Sequence, residues 1–141
     1  MATTRTANTR WEGSLFEGKG RVSLDSSGVG SYDVSWPARA EEPNGVTSPE
    51  ELIAAAHSAC FSMAFSNMLS KAGHQVETLD TRADVTFQPG QGITGVHLTT
   101  RGSVPGISAD EFGRIAEDAK ANCPVSQALT GTTITLDASL T

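Results

Sequence analysis

The feature that most limits the fold is a long stretch of sequence without charge. No Asp, Glu, Lys or Arg occurs between Leu52 and Ser70, and five alanines, which favour helix, lie within the stretch. A helix without a charged face is normally buried on every side. We therefore expect a long central helix that the rest of the chain must cover, with help from a second subunit because apolar residues make up only 38% of the sequence.

Signals for the start and the end of this helix flank the uncharged stretch. Ser48 is suited to the N-cap, Pro49 to the first helical position and Glu51 to the third, where a capping box can form. Lys71 then falls in the last turn, and Gly73 follows where a left-handed residue is favoured. These signals predict one helix between Ser48 and Gly73.

The remaining segments alternate between strand and helix patterns. An apolar–polar alternation over Arg10–Trp36 predicts an antiparallel meander, and residues 37–47 read as a connecting loop. Two further strands, Val76–Phe87 and Ile93–Val104, are separated by a turn rich in Gly and Pro and predict a hairpin.

The last part of the chain predicts two helices and a strand. An amphipathic helix over Ala109–Ala121 follows a cap at Ser108, a short helical segment covers Val125–Leu129, and Thr132–Leu140 forms a final strand. We find no linker or repeat, so we expect a single domain over residues 1–141 with an α+β fold, an antiparallel sheet and a long buried helix.

The charge balance argues against several classes of partner. The net charge is −6, and the ten Lys and Arg residues do not cluster, which disfavours binding to nucleic acid or to an anionic membrane. The central stretch contains five polar residues, which is too many for a membrane span, and no apolar run follows Met1. We expect a soluble, cytoplasmic protein.

Two cysteines lie far apart in the sequence. Cys60 falls in the middle of the central helix, where the helix dipole has little effect, so a thiolate there needs a cation or hydrogen-bond donors from elsewhere. Cys123 precedes Pro124 at a helix start, which on position alone makes it the more acidic thiol. Both cysteines can equally be inert core thiols.

His57, Glu50 and Arg39 each allow more than one role. His57 lies one turn before Cys60 and can be a base, a zinc ligand with both cysteines, or a hydrogen-bonded core histidine, although the paired ligand spacing of structural zinc is missing. Glu50 suits the first helical turn, and Arg39 can pair with nearby loop carboxylates, Glu41 or Glu42.

Two motifs together resemble the osmotically inducible protein C (OsmC) family, which includes the organic hydroperoxide resistance (Ohr) proteins. They are the run from Ser48 to Met63, which contains Ala-Cys-Phe-Ser-Met and is nearest to the OsmC branch, and Cys-Pro-Val-Ser-Gln-Ala-Leu at 123–129. The resemblance implies a thiol peroxidase without metal or prosthetic group. It assigns the peroxidatic role to Cys60 and the resolving role to Cys123.

The resemblance also implies an active-site glutamate and arginine. Glu50 matches the glutamate and Arg39 best matches the arginine, with Arg10 and Arg21 as alternatives. Ten residues of helix separate Glu50 from Cys60, or ~15 Å along the axis. Glu50 can therefore serve Cys60 only from a second chain, which agrees with the intertwined homodimer and interface sites that the resemblance implies.

These expectations combine into one mechanism and two alternatives. Cys60 reduces a hydroperoxide and becomes a sulfenic acid, Cys123 forms a disulfide with it, and an external dithiol, such as that of a lipoylated protein, reduces the disulfide. An apolar entrance is expected to favour organic over inorganic peroxides, and its candidate residues are Leu52, Phe61, Met63 and Phe65. We expect the enzyme to act in defence against oxidative and osmotic stress. The alternatives are a redox-inert stress or binding protein and a small zinc-binding protein using His57, Cys60 and Cys123.

Overall fold

A computed structural model of residues 1–141 contains six strands and four helices. The chain divides into two compact units, Met1–Leu52 and Ile53–Thr141, which we call the N-terminal and the C-terminal unit. The α+β class predicted from the sequence is confirmed, whereas the single domain stays a prediction.

The N-terminal unit contains the predicted meander. Strands β1 (Asn8–Glu12), β2 (Lys19–Ser23) and β3 (Ser31–Val34) form a three-stranded antiparallel sheet in chain order. A short helix, α1 (Trp36–Ala40), lies where we predicted only a loop. It begins because the Ser35 hydroxyl oxygen accepts a hydrogen bond from the Ala38 amide, as expected of an N-cap.

The central helix α2 (Pro49–Lys71) begins and ends as predicted. The Ser48 hydroxyl oxygen accepts a 3.2 Å hydrogen bond from the Glu51 amide, and Gly73 has a φ of 91°. The Glu51 carboxylate accepts a hydrogen bond from Thr47, so only one half of the capping box is present.

Only one face of α2 is buried within the chain. Four residues at four-residue spacing are fully enclosed, namely His57, Phe61, Phe65 and Leu69. A second stripe at the same spacing is exposed and consists of Ala55, Ala59, Met63 and Asn67; Met63 is 73% exposed. The prediction of burial on every side is therefore wrong for one chain, because the chain supplies core residues to a single stripe of the helix.

The C-terminal unit carries a mixed sheet. Strands β4 (Thr78–Gln88) and β5 (Gly92–Ser103) form the predicted antiparallel hairpin. Strand β6 (Thr133–Leu140) pairs with β5 in the parallel direction, so the prediction of an antiparallel sheet is wrong for this strand. The chain reaches β6 through a helical crossover, which is the connection that parallel neighbours require.

Helices α3 (Ala109–Asn122) and α4 (Pro124–Ala128) form that crossover. The Ser108 hydroxyl oxygen caps α3 by accepting from the Glu111 amide, as predicted. The apolar side of α3 is buried and packs in one core with α2, β4 and β5; its residues are Phe112, Ile115, Ala116 and Ala119. This core holds the face of α2 that carries His57 against the crossover.

Candidate active site

The junction of α3 and α4 positions the second thiol. The amide of Cys123 donates to the Ala119 carbonyl at the end of α3, and Cys123 is also the N-cap residue of α4. Its side chain is fully buried and does not cap the helix itself. The Cys123 thiol therefore makes no hydrogen bond to the first amides of α4.

The Cys123 thiol contacts the thiol of Cys60. The two thiols are near enough for the Cys123 side chain to raise the pKa of Cys60, and neither cysteine is in a disulfide. Cys60 is partly exposed and Cys123 is buried. Two sulfurs that are 63 positions apart in the chain (123 minus 60) are thus neighbours in the C-terminal unit.

The surroundings of Cys60 contain one group that favours a thiolate. Burial is the main cause that raises the pKa of Cys60 above its ordinary value of 9.0, and the Cys123 thiol raises it further. The backbone amide of Val125 donates to the Cys60 sulfur and lowers the pKa. Because burial is the largest effect, the pKa of Cys60 is raised overall.

The Val125 amide is available because of the proline before it. The first amides of a helix have no partner within the helix, and Pro124, at the first position of α4, has no amide at all. Val125 therefore carries the first free amide of α4. This donor belongs to the Cys-Pro-Val segment itself, so the sequence that provides the second thiol also provides a hydrogen bond to the first.

His57 is a buried, hydrogen-bonded histidine. Its Nε2 atom lies 2.7 Å from the Ser126 hydroxyl oxygen, and its Nδ1 atom has no hydrogen-bond partner. Burial lowers the pKa of His57, which keeps the imidazole neutral near pH 7. The chain has no group of three or more His, Cys, Asp or Glu side chains arranged to hold a metal ion, so the zinc-binding alternative lacks a ligand set.

Ser126 was not singled out from the sequence. A serine in the first turn of a helix is ordinary, since serine favours helix starts. The residue is only 4% exposed and meets the one buried histidine of α2. One signal could have identified Ser126. It lies three residues after Cys123, as His57 lies three residues before Cys60, so two neighbouring cysteines would bring serine and histidine close together.

Arg39 and Glu50 form a close ion pair in the N-terminal unit. The Arg39 Nη2 atom lies 2.9 Å from Glu50 Oε2, and Nε lies 3.1 Å from both carboxylate oxygens. The Glu50 side chain is 7% exposed and that of Arg39 is 32% exposed. Arg39 therefore pairs with the predicted glutamate.

The other two candidate arginines have different partners. Arg10 lies 3.7 Å from Glu12, and Arg21 lies 2.8 Å from Asp33. All four side chains are more than half exposed, and such surface pairs contribute little to stability. Of the three arginines considered, Arg39 is the one that contacts Glu50.

The predicted apolar entrance is not formed by the aromatic residues that we proposed. Phe61 and Phe65 are fully buried; their rings pack together, and the Phe65 ring also packs onto Phe112 in the core. Met63 lies on the exposed stripe of α2. These three side chains therefore cannot line one common entrance, because α2 directs Met63 away from the buried face that carries Phe61 and Phe65.

Comparison with known proteins identifies the family. The family model described as OsmC-like protein matches residues 42–137. The chain is 44% identical over 140 residues to peroxiredoxin OsmC of Escherichia coli, which covers 97% of this chain and 96% of the relative. It is also 34% identical over 119 residues to the organic hydroperoxide resistance protein OhrA of Bacillus subtilis, which covers 80% of this chain and 82% of the relative.

Solved structures agree with this fold. An OsmC-like protein of unknown function from Vibrio cholerae has a TM-score of 0.75 at 18% identity, with 97% of this chain and 99% of that chain covered. An organic hydroperoxide resistance protein from Elizabethkingia anophelis has a TM-score of 0.65 at 26% identity, with 100% and 99% covered. The chain therefore belongs to the OsmC-like family and is a peroxidase of that family.

Proposed function

We propose that this chain reduces organic hydroperoxides with Cys60 as the attacking thiolate and Cys123 as the resolving thiol. The observation that carries the proposal is the contact between these two side chains beside the Val125 amide. A sulfur that is partly exposed and adjacent to a second thiol suits reversible oxidation, since its sulfenic acid has a partner at hand.

In the first step the Cys60 thiolate attacks one oxygen of the hydroperoxide. A sulfur–oxygen bond forms, the oxygen–oxygen bond breaks, and the alkoxide takes up a proton and leaves as an alcohol. The sulfur is oxidised by two electrons to a sulfenic acid, and the peroxide is reduced by two electrons. The Val125 amide supports this step by donating to the sulfur while it is charged.

In the second step Cys123 attacks the sulfenic acid sulfur. A disulfide forms between Cys60 and Cys123, the sulfur–oxygen bond breaks, and the hydroxyl leaves as water with the proton of the Cys123 thiol. An external dithiol, for which a lipoylated protein is one candidate, then reduces the disulfide by two-step exchange and is itself oxidised to a disulfide.

Arg39 and Glu50 supply the charge that the thiols lack. We assign Arg39 the role of holding the Cys60 thiolate and orienting the peroxide, with Glu50 fixing the guanidinium through their two-point contact. Because ten helical residues separate Glu50 from Cys60, this ion pair would serve the Cys60 of a second chain.

The proposal therefore includes a homodimer with active sites at its interface. The exposed stripe of α2 supports it, since it is uncharged and places Met63 in solvent. A second copy of the chain would cover this stripe, as expected for a two-fold interface. Neither nucleic acid nor a membrane is part of the proposal.

We place the enzyme in the cytoplasm and in defence against oxidative and osmotic stress. By length and composition α2 is able to cross a membrane, but core helices of soluble proteins meet the same criteria. Its polar residues, together with the packing of His57, Phe61 and Phe65 in the core, support a soluble protein.

Thiol titration tests the redox proposal. Purified protein that receives one equivalent of cumene hydroperoxide should lose both thiols per chain and yield one equivalent of cumyl alcohol. A chain that keeps two titratable thiols while the peroxide persists would be redox-inert, and the proposal would be wrong.

The substrate preference has a separate test. Second-order rate constants for cumene hydroperoxide and hydrogen peroxide are compared at the same pH. We expect the organic substrate to react faster because Cys60 packs against the apolar core of the C-terminal unit. Equal rate constants would remove the preference but leave the thiol mechanism standing.

A further inference from the structure

Three residues at the start of α4, counting its N-cap Cys123, contact α2. The Cys123 thiol meets Cys60, the Val125 amide donates to the same sulfur, and the Ser126 hydroxyl meets His57 one turn earlier on α2. The first two contacts belong to the proposed chemistry. The third is a buried pair of polar side chains to which that chemistry gives no role.

The pair is placed where it can control the other two contacts. Helix α4 has only five residues, and a helix of this length is not stable by itself. Its position therefore depends on what its side chains contact. His57 is fully enclosed and Ser126 is 4% exposed, so little water competes for their 2.7 Å hydrogen bond.

We propose that His57 and Ser126 are positioning residues that hold α4 against α2, so that the Cys123 thiol and the Val125 amide stay directed at Cys60. The effect on peroxide reduction rests on the function proposed above. The effect on the spacing of the two thiols does not, because it is a property of the fold.

A neutral His57 fits a positioning role better than a role as a base. Its Nε2 atom is engaged with Ser126, and its Nδ1 atom is enclosed without a partner. Burial lowers the pKa of His57. Glutamine can place an amide nitrogen near the position of Nε2 and keep the hydrogen bond, but it cannot take up a proton. The two roles therefore predict opposite results for His57→Gln.

The first measurement does not require peroxide. Each variant is equilibrated in a glutathione redox buffer, where oxidised glutathione accepts two electrons from the thiols as the Cys60–Cys123 disulfide forms. The equilibrium constant for disulfide formation gives the effective concentration of the Cys123 thiol at Cys60. Ser126→Ala should lower it roughly tenfold or more, since small displacements of reacting groups are costly. His57→Leu should do the same, and His57→Gln should restore it.

The second measurement follows single turnover with cumene hydroperoxide. Ser126→Ala should slow disulfide formation more than the initial attack, so that sulfenic acid accumulates and can be trapped with dimedone. His57→Gln should resolve its sulfenic acid at nearly the rate of the original chain. A His57→Gln variant as slow as His57→Leu would overturn the positioning role.

Ser62→Ala is the matched control. It removes another serine hydroxyl from a 2.7 Å hydrogen bond, in this case between α2 and Thr81 on β4. We expect its effective concentration and its resolution rate to stay within about twofold of the original chain. If Ser126→Ala does not fold, the contrast between His57→Leu and His57→Gln decides the question by the same measurements.

The outcomes separate the two proposals. An unchanged effective concentration in folded Ser126→Ala would overturn the positioning role, whatever the activity of the enzyme. If Ser126→Ala reduces the effective concentration and the original chain consumes no peroxide, the positioning role is supported and the proposed function is overturned.

Discussion

The two compact units of the chain differ in how much of their apolar surface they bury. The C-terminal unit encloses nearly all of the buried hydrophobic residues, whereas Val22 is the only one in the N-terminal unit. Conversely, the N-terminal unit exposes six of the seven large hydrophobic residues found in solvent, namely Met1, Trp11, Leu15, Phe16, Val29 and Tyr32. The C-terminal unit therefore holds the main core of the chain, and the N-terminal unit leaves most of its large apolar side chains in solvent.

The chemistry is divided in the same way. The thiols of Cys60 and Cys123 lie in the C-terminal unit, where the favourable contact for a thiolate is a backbone amide. The ion pair of Arg39 and Glu50 lies in the N-terminal unit. The two thiols and the buried ion pair thus lie in different units.

The largest effect is expected from the two sulfurs. Cys60→Ser should abolish peroxide consumption, because serine cannot form a nucleophilic thiolate. Cys123→Ser should still react once and then stop as a sulfenic acid, which mass spectrometry detects after trapping. If Cys60→Ser turned over at the original rate, the assignment of the attacking thiol would be wrong.

Substitutions in the two cores test the contrast in stability. Phe65→Ala in the C-terminal unit should lower the free energy of unfolding by about 3–5 kcal/mol, because it opens a cavity between two aromatic neighbours. Val22→Ala in the N-terminal unit should cost about 1–2 kcal/mol. Urea unfolding measures both values. Equal losses would contradict the view that one unit holds the main core.

The contribution of charge is tested with two arginines. Arg39→Ala should slow the reaction with peroxide by roughly 100-fold to 1,000-fold, because a preorganised donor to the developing charge is lost. Arg21→Ala is the control, since it removes an exposed arginine paired with Asp33, and its rate should change little. Similar rates in the two variants would show that Arg39 does not act at the thiol.

Assembly is tested on the exposed stripe of α2. Met63→Glu places a charge in the middle of this stripe, and we expect it to raise the dimer dissociation constant by roughly tenfold or more, since an unpaired charge is costly to bury. Asp118→Lys on the exposed side of α3 is the matched control and should leave association unchanged. Sedimentation at several concentrations gives both constants. A monomeric original chain would remove the dimer from the proposal.

The smallest effect concerns acid stability. Because burial lowers the pKa of His57 below its ordinary value of 6.5, the unfolded chain takes up a proton before the folded chain does. The stability contributed by neutral His57 is therefore present above pH 6.5 and is lost as the pH falls through the folded-state pKa. Between about pH 7.5 and about pH 5, the original chain should lose more unfolding free energy than His57→Gln, as urea titrations would show.

Local rules predicted most elements of the fold. The caps at Ser48 and Ser108 and the positive φ at Gly73 depend on neighbours within a few residues, and the structure has all three. Strand alternation located β4 and β5, but it could not give the direction of β6, because an alternating pattern is the same for parallel and antiparallel partners. The short helix α1 was missed because its two start signals, the Ser35 cap and Pro37, are also typical of turns.

The sequence predicted some residues of the candidate site and missed others. Cysteine motifs singled out Cys60 and Cys123, whose catalytic roles stay predictions. The buried side of α2 could not be assigned, since a helix without charge has no polar face to orient it. Phe61 and Phe65 were therefore expected at an entrance and lie in the core. Ser126 was missed because its partner, His57, is 69 positions away.

The parallel pairing of β6 has a practical consequence for handling the protein. Both ends of the segment that carries Cys123 are anchored in one sheet, at β5 and at β6. Thr141 donates its amide to the Gly102 carbonyl directly after β6, which extends the same anchor by one residue. Local opening of β6 would release one end of the segment that carries Cys123, so the thiols are best counted in buffer without denaturant.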